Sequence, residues 1–388
     1  MDGQVTKNIA IALMAQEQMD IDTSFDFISM CGVSAGPDIN LCLISPQRAR
    51  KEIAKREAVG VASKTECSHI LFIRDGLRFV PETLRMLMKA EKPVIGCKTK
   101  FHPDIVSTDL TLIDMLVFEK IPKPYFAAKF KAGTIEYNDD DMHFLANVEQ
   151  AGFGVFGEDT LGEANATVTH VEKHGARINA RHIKGGAANG EVIAIAFPAD
   201  GLIYTHTVSD IAQLVASNIG LVKGFVLINV QTDRVEHARN VSQEIAKVEQ
   251  ATKLLFIDND MRFPADTLAR LFQRKKDIIG VNAVKRDGTN VPVFKKNLFG
   301  RPFKYKKGST EQVLFIGMAV TLIDMQVFEK MEKPYFYANY EDGTDKWRGE
   351  DYSFCWEAKK QGIHIWCDVG LSKEIGHIGA QTYYLGVK

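Results

Sequence analysis

Two carboxylates one residue apart, Asp258 and Asp260, follow directly on four apolar residues, Leu254, Leu255, Phe256 and Ile257. The apolar run reads as a buried strand, and carboxylates at its end are costly to desolvate unless a cation meets them. A divalent metal chelated by a diphosphate is such a cation. Capping the next helix is the plainer use of an acidic pair. A second pair, Glu350-Asp351, opens a segment carrying Phe354, Cys355 and Ala358 at helical spacing. These carboxylates can cap that helix and answer its dipole, or one of them can take the proton of a hydroxyl as it attacks. Arg234 and Arg239 lie upstream of Asp258. An arginine suits phosphate through its planar fork of donors, and a basic helix face in solvent is the alternative. Trp347 offers a stacking wall for a ring.

These residues need a scaffold, and the chain writes it twice. Residues 111–120 (Thr-Leu-Ile-Asp-Met-Leu-Val-Phe-Glu-Lys) recur at 321–330 with nine of ten positions identical, and Lys-Pro-Tyr-Phe follows both, at 123–126 and 333–336. Further upstream the offset is 184: 9–12 matches 193–196, Phe72-Ile73 matches Phe256-Ile257, and Gly96 matches Gly280. It rises to 210 after Gly280, so the second half holds 26 extra residues. Such a repeat fixes the organisation before any finer reading. In the second half the apolar pattern predicts strands at 192–197, 224–230, 253–257 and 277–283, with helices at 208–217, 234–249 and 265–273. That alternation predicts an α/β fold with an open, mostly parallel sheet, whose ligands sit at the carboxyl ends of the strands, where Asp258 and Asp260 fall. The expected domains are 1–183 and 191–388. Between them, residues 184–190 (Lys-Gly-Gly-Ala-Ala-Asn-Gly) read as a flexible linker.

With Asp258-Asn259-Asp260, Ala238-Arg239-Asn240 and Glu350-Asp351 in this order, the sequence resembles metal-dependent, family-2-like glycosyltransferases of the GT-A fold, of the bacteriophage type. The resemblance implies two tandem Rossmann-like GT-A domains. It implies transfer of a sugar from a nucleotide-diphosphate donor, a UDP-sugar, to an acceptor hydroxyl, with inversion. Asp258, Asp260 and His377 would hold Mn²⁺ or Mg²⁺, although a lone histidine is often structural. Pro198 and Asp200, in the turn after the first strand, would meet the nucleotide base, and proline also simply ends a strand. Arg234, Arg239, Asn240, Asp258 and Trp347 would line the nucleotide-sugar pocket. Asp351 would be the general base, with Glu350 supporting it.

The first half departs from that pattern. Arg74-Asp75-Gly76 stands where Asp258-Asn259-Asp260 stands, and Ala54-Lys55-Arg56 replaces Ala238-Arg239-Asn240. An acidic pair persists as Asp140-Asp141, and a histidine occurs at His170. The expectation is a degenerate copy without the metal, with a second site built around Arg74 as the alternative. The 26-residue insertion carries Lys285, Arg286, Lys295, Lys296, Arg301, Lys304, Lys306 and Lys307 among Phe294, Phe299, Phe303 and Tyr305. Cations interleaved with rings suit a nucleic-acid backbone and its bases, and a loop closing over the donor diphosphate is the other reading. Together with the bacteriophage-type resemblance, this insertion makes a hydroxymethylated pyrimidine in DNA the candidate acceptor, as in phage DNA modification. A glycan or protein hydroxyl comes next, and a non-catalytic sugar- or nucleotide-binding module is the alternative of another class.

Composition adds bounds. The 388 residues are 45% hydrophobic and 25% charged with a net charge of −1, so no global field draws nucleic acid or membrane. No apolar stretch is long enough to span a bilayer, and the first residues do not read as a signal peptide. Six scattered cysteines without a CxxC pair suggest reduced thiols in a cytoplasmic protein, in the host cytoplasm if viral.

Overall fold

The computed structural model describes residues 6–15, 18–46, 51–99, 102–127, 129–130, 137–138, 140–158, 171–173, 176–232, 234–284, 310–340, 347–379 and 382–384. The chain divides into two compact units, Met1–Thr167 and Val168–Lys388.

The first unit is built on a six-stranded sheet, in the order Ile39–Ile44, Lys7–Met14, His69–Arg74, His102–Asp114, Val94–Thr99, Val155–Glu158. All of these strands are parallel to one another except His102–Asp114, which runs against both of its neighbours. The second unit repeats this order and these directions with Gly224–Gln231, Val192–Ala196, Lys253–Ile257, Val320–Asp324, Ile278–Gly280 and Ile365–Asp368, the reversed strand being Val320–Asp324. Helices alternate with the strands, so both units are mixed α/β with mostly parallel sheets.

The central strands are near-continuous apolar runs buried on both faces, with successive side chains turned to opposite sides of the pleat. In the second unit Ala194, Ala196, Val226, Ile228, Leu254 and Phe256 turn to one face. There they bury against Ala238 and Val241 of the Val235–Val248 helix and Phe354 and Ala358 of the Glu350–Lys360 helix. Phe336 stacks on Phe354 (centroids 4.7 Å apart) and meets Phe256 edge-on (5.4 Å). The first unit holds the same trio, with Phe126 stacked on Phe144 (4.8 Å) and edge-on to Phe72 (5.6 Å). Gly280 pairs with Thr321 across the ladder, and a Cβ there would lie 2.2 Å from Thr321 Oγ1. That close approach accounts for glycine at this point of the repeat.

Residues 184–190 are not a free tether. They lie inside the second unit, where the N–H groups of Gly185, Gly186 and Ala187 donate to Lys223 O (2.9 Å), Ile219 O (2.8 Å) and Val222 O (3.1 Å). The preceding Ala176–Lys184 strand pairs antiparallel along the whole of Gly224–Gln231. Glycine here serves close packing: a Cβ on Gly185 would stand 2.1 Å from Val222 O. Among the described residues, Cys31, Cys67, Cys355 and Cys367 are buried free thiols and Cys42 is a half-buried one. No helix among them is long and apolar enough to cross a membrane.

Candidate functional site

Asp258 and Asp260 leave the carboxyl end of the Lys253–Ile257 strand, and Asp258 N–H is pinned to Ala319 O (2.9 Å). The two side chains then part. Asp258 Oδ1 accepts from Arg239 Nη2 at 2.9 Å, and Arg239 Nη1 donates to Glu350 Oε1. Three elements therefore meet at one guanidinium: the Val235–Val248 helix, the end of the Lys253–Ile257 strand and the first turn of the Glu350–Lys360 helix. Arg239 is only 4% exposed, with its guanidinium carbon 5.9 Å from the centroid of the Phe256 ring, so the ion pairs sit largely out of water. Asp258 is 32% exposed and opens the cluster to solvent. Arg239 Nε is buried without a hydrogen-bond partner.

Asp351 follows Glu350 in the same helical turn, and Tyr352 N–H donates to its Oδ1 (2.7 Å). Gly349 caps this helix, and a Cβ there would come within 3.1 Å of Asp351 Oδ1. Burial pushes Asp351 above the ordinary carboxylate range, against the pull of Arg239, and nearby Asp258 pushes the same way. Glu350 is raised likewise, by burial first and by Asp351 and Asp258 after it, with Arg239 opposing. A carboxylate that is more basic than usual beside an open carboxylate pair is suited to accepting a proton.

Asp260 turns the other way and is fully buried. Its Oδ2 lies 3.0 Å from His377 Nε2, and His377 Nδ1 lies 2.6 Å from Val284 O. The Met261–Arg262 strand that follows Asp260 pairs with the strand of His377, Met261 opposite His377, and Ile378 N–H donates to Asp260 O (2.8 Å). The Val284 carbonyl accepts from Nδ1–H, which leaves Nε2 to meet the Asp260 carboxylate either through a proton or, with its lone pair, through a shared cation; metal-ligating histidines are oriented in this way. Asp260 and His377 thus fit a divalent cation as a two-ligand face, with substrate phosphates able to complete it. Asp258 is instead engaged by Arg239. Among the described residues no group of three or more His, Cys, Asp or Glu side chains is gathered to hold a metal.

The remaining candidates separate. Pro198 and Asp200 do lie at the carboxyl end of the Val192–Ala196 strand, in a turn whose Phe197 and Ala199 carbonyls accept from Asn229 Nδ2 (2.9 and 3.2 Å). Asp200 is exposed there. Arg234, at the N-cap of the Val235–Val248 helix, is exposed, and its backbone N–H meets Thr232 Oγ1 at 3.4 Å. Asn240 is committed elsewhere: it donates to Glu236 O (2.8 Å) and Phe336 O (2.6 Å) and accepts from Tyr335 and Phe336 N–H (2.9 and 3.2 Å). An amide so fully used holds a loop and has nothing left for a nucleotide. Trp347 lies in a short strand paired with Asn339–Tyr340, and its side chain is outside the described residues. So are residues 285–307, including Lys295, Lys296, Arg301, Lys304, Lys306 and Lys307, and so is His170.

The corresponding place in the first unit is neutralised from within. Lys55, fully buried at the position of Arg239, donates to Thr108 and Asp141. Lys51 reaches Asp141 and Asp109 at 3.1 Å each, and Arg74, at the position of Asp258, pairs with Asp109 at 2.8 Å. Burial raises Asp141, but Lys55 and Lys51 outweigh it and hold the carboxyl at about 2. Asp141 and Asp351 occupy the same repeat position and are shifted in opposite directions.

Asp210 and Arg262 support the site, and their recurrence in the repeat marks them in the sequence. Asp210 accepts from Arg262 Nε (2.7 Å) and Phe263 N–H (3.0 Å) and so fixes the segment just after Asp260. Asp26, Arg78 and Phe79 repeat this clamp at the same offset. The Val284 carbonyl behind His377 had no such signal.

No family model matches the chain, and no curated protein matches it. Among solved structures, A197 from STIV matches at 16% identity and a TM-score of 0.35, covering 48% of this chain and 85% of that one. GalNAc-T7, solved with UDP, GalNAc and Mn²⁺, matches at 11% identity and a TM-score of 0.32 over 52% of this chain and 45% of its own. Less than half of that second chain is spanned.

Proposed function

We propose that the second unit is a metal-dependent glycosyltransferase of GT-A type that moves a sugar from a UDP-sugar to an acceptor hydroxyl with inversion, and that the first unit is a degenerate copy. The observation that carries this reading is the convergence of Asp258, Arg239, Glu350 and Asp351 at the carboxyl end of one central strand, with Asp260 and His377 on the adjoining segment. Asp351 takes the proton of the acceptor hydroxyl. The hydroxyl oxygen then bonds to the anomeric carbon as the bond from that carbon to the diphosphate breaks, and UDP leaves. Arg239 keeps Glu350 and Asp258 in place around the reacting groups. Asp260 and His377 would hold Mn²⁺ or Mg²⁺, with donor phosphates completing the ligand set and Asp258 kept by Arg239, and the metal when bound would offset charge on the leaving diphosphate.

The acceptor we infer is a hydroxymethylated pyrimidine in DNA, supported by the cations and rings of residues 285–307. The test is a screen of UDP-sugars with Mn²⁺ against duplexes containing hydroxymethylpyrimidines, read by mass spectrometry of the DNA and by UDP release. A sugar adduct on the DNA is the expected result. UDP release with no adduct on DNA would move the acceptor to a glycan or protein hydroxyl, and no UDP release with any donor would leave a binding module. Replacing Lys304, Lys306 and Lys307 by alanine should weaken DNA binding and lower its salt slope by roughly one unit per lost phosphate contact. Loss of UDP affinity alone in that variant would reject the DNA acceptor.

A further inference from the structure

The first unit contains a groove of about 810 Å³ between the Lys51–Lys64 helix and residues 115–125. That is within the ~300–1,000 Å³ typical of small-molecule sites. Its floor is apolar, with Val59, Phe118 and Cys67 buried and Tyr125 half-buried. Its rim carries Arg56, Lys64 and Lys123, all exposed, against Glu66 and Glu119. Lys123 Nζ lies 5.6 Å from the centroid of the Tyr125 ring, so a cation and an aromatic face stand side by side at the mouth.

The repeat supplies an internal control. At the same place in the second unit, Lys333 Nζ pairs with Glu244 Oε1 at 2.8 Å, and Asn240 clamps the backbone of Tyr335 and Phe336. In the first unit Gly60 stands for Glu244, Arg56 for Asn240 and Lys64 for Val248, while Ser63 and Glu66 replace Lys247 and Gln250. The carboxylate that meets the mouth lysine is thus removed, and the lining residues change from neutral to one net positive charge. A Cβ at Gly60 would meet nothing within 4 Å, so the glycine is not there for packing.

We propose that this groove is a binding site for a small aromatic anion, a planar ring bearing a sulfonate, phosphate or carboxylate. The ring would lie on Phe118 and Tyr125, and the anion would face Lys123, Arg56 and Lys64. Burial of the ring against the apolar floor supplies the attraction. Three cations around one mouth select the charge, and the Tyr125 face orients the ring. The site owes nothing to the candidate transfer chemistry of the second unit, so it stands or falls independently.

The probe is 1-anilinonaphthalene-8-sulfonate, titrated by fluorescence into the full chain, with its uncharged parent N-phenyl-1-naphthylamine as comparison. Gly60→Glu restores the residue of the second unit, and Lys123→Glu reverses the mouth charge. Both positions are exposed, and the circular dichroism and Tm of each variant report its fold. Each variant is expected to lose at least ~10-fold in affinity for the sulfonate, and the uncharged parent is expected to bind the wild type more weakly than the sulfonate does. Asp258→Ala is expected to leave sulfonate binding unchanged. Unaltered affinity in both Gly60→Glu and Lys123→Glu would overturn the proposal, and so would equal binding of the charged and uncharged probes. Should Gly60→Glu fail to fold, Lys123→Glu alone decides.

Discussion

Asp351 and Asp141 show how far the neighbours of one carboxylate determine its chemistry. Asp141 is held near 2 by two lysines and is a weaker base than an ordinary carboxylate, whereas Asp351 is lifted by burial against the pull of Arg239. Asp351→Asn should lower transfer by a factor on the order of 10² or more with donor affinity nearly unchanged. A near-normal rate would mean another base, and the anomeric configuration of the product would show whether the reaction retains. The same shift has a consequence for stability. Because the folded pKa of Asp351 lies above its unfolded value of 3.8, its contribution is fully present below that value and is lost as pH rises through the folded pKa. Asp351→Asn should therefore raise Tm at pH 7, with the gain shrinking as pH falls toward the unfolded value. A Tm below wild type at pH 7 would contradict the desolvation argument. Arg239 answers two carboxylates from a buried position, and removing one partner of a buried pair costs about 3–5 kcal/mol. Arg239→Met should show a loss of that order in urea unfolding. Arg239→Lys should lose less, since Lys55 does the corresponding work in the first unit. Equal losses would mean that packing, and not charge, decides.

At the scale of elements, the Glu350–Lys360 helix is positioned by its far side. Phe354 is buried in the stack with Phe336, and that stack rests on Phe256, the ring beneath Arg239. The loop carrying Phe336 is in turn held by Asn240. Asn240→Ala should strand the N–H groups of Tyr335 and Phe336 and cost about 1–3 kcal/mol for each buried group left unsatisfied, measured by urea unfolding. UDP-sugar affinity, read by calorimetry, should fall less than it does in Asp258→Ala. A large loss of donor affinity with no loss of stability would return Asn240 to the nucleotide pocket. Asp210 and Arg262 act in the same supporting way, fixing the residues after Asp260 from the Thr205–Asn218 helix.

At the scale of the molecule, one topology is used twice with two charge states. The second unit pairs Asp260 with His377 and leaves Asp258 partly open, while in the first unit Arg74 and Gly76 occupy the two aspartate positions and the acids are matched by Lys51, Lys55 and Arg74. Calorimetry with Mn²⁺ and UDP on the full chain should therefore give one site per chain. That site should disappear in Asp260→Ala and persist in Asp141→Ala. Two equivalent sites would show that the first unit also takes the cation.

The sequence alone determined the repeat, the alternation of strands and helices, and the placing of Asp258 and Asp260 at the end of a central strand. These are read from signals local in the chain: a constant offset, runs of apolar residues and the breaks between them. Tertiary structure decided what each side chain meets. Arg239 lies 19 residues from Asp258 and 111 from Glu350, and no spacing rule joins positions so far apart, so the sequence could mark the arginine but not its partners. Asn240 looked like its neighbour and proved to be a loop clamp, because consecutive helical residues point in different directions. The glycines of 184–190 read as flexibility and proved to be close packing, since glycine composition is the same in both cases and only the position of the Val222 carbonyl distinguishes them. Asp141 and Asp351 repeat in sequence and differ in basicity because burial and the number of neighbouring cations are properties of the folded chain.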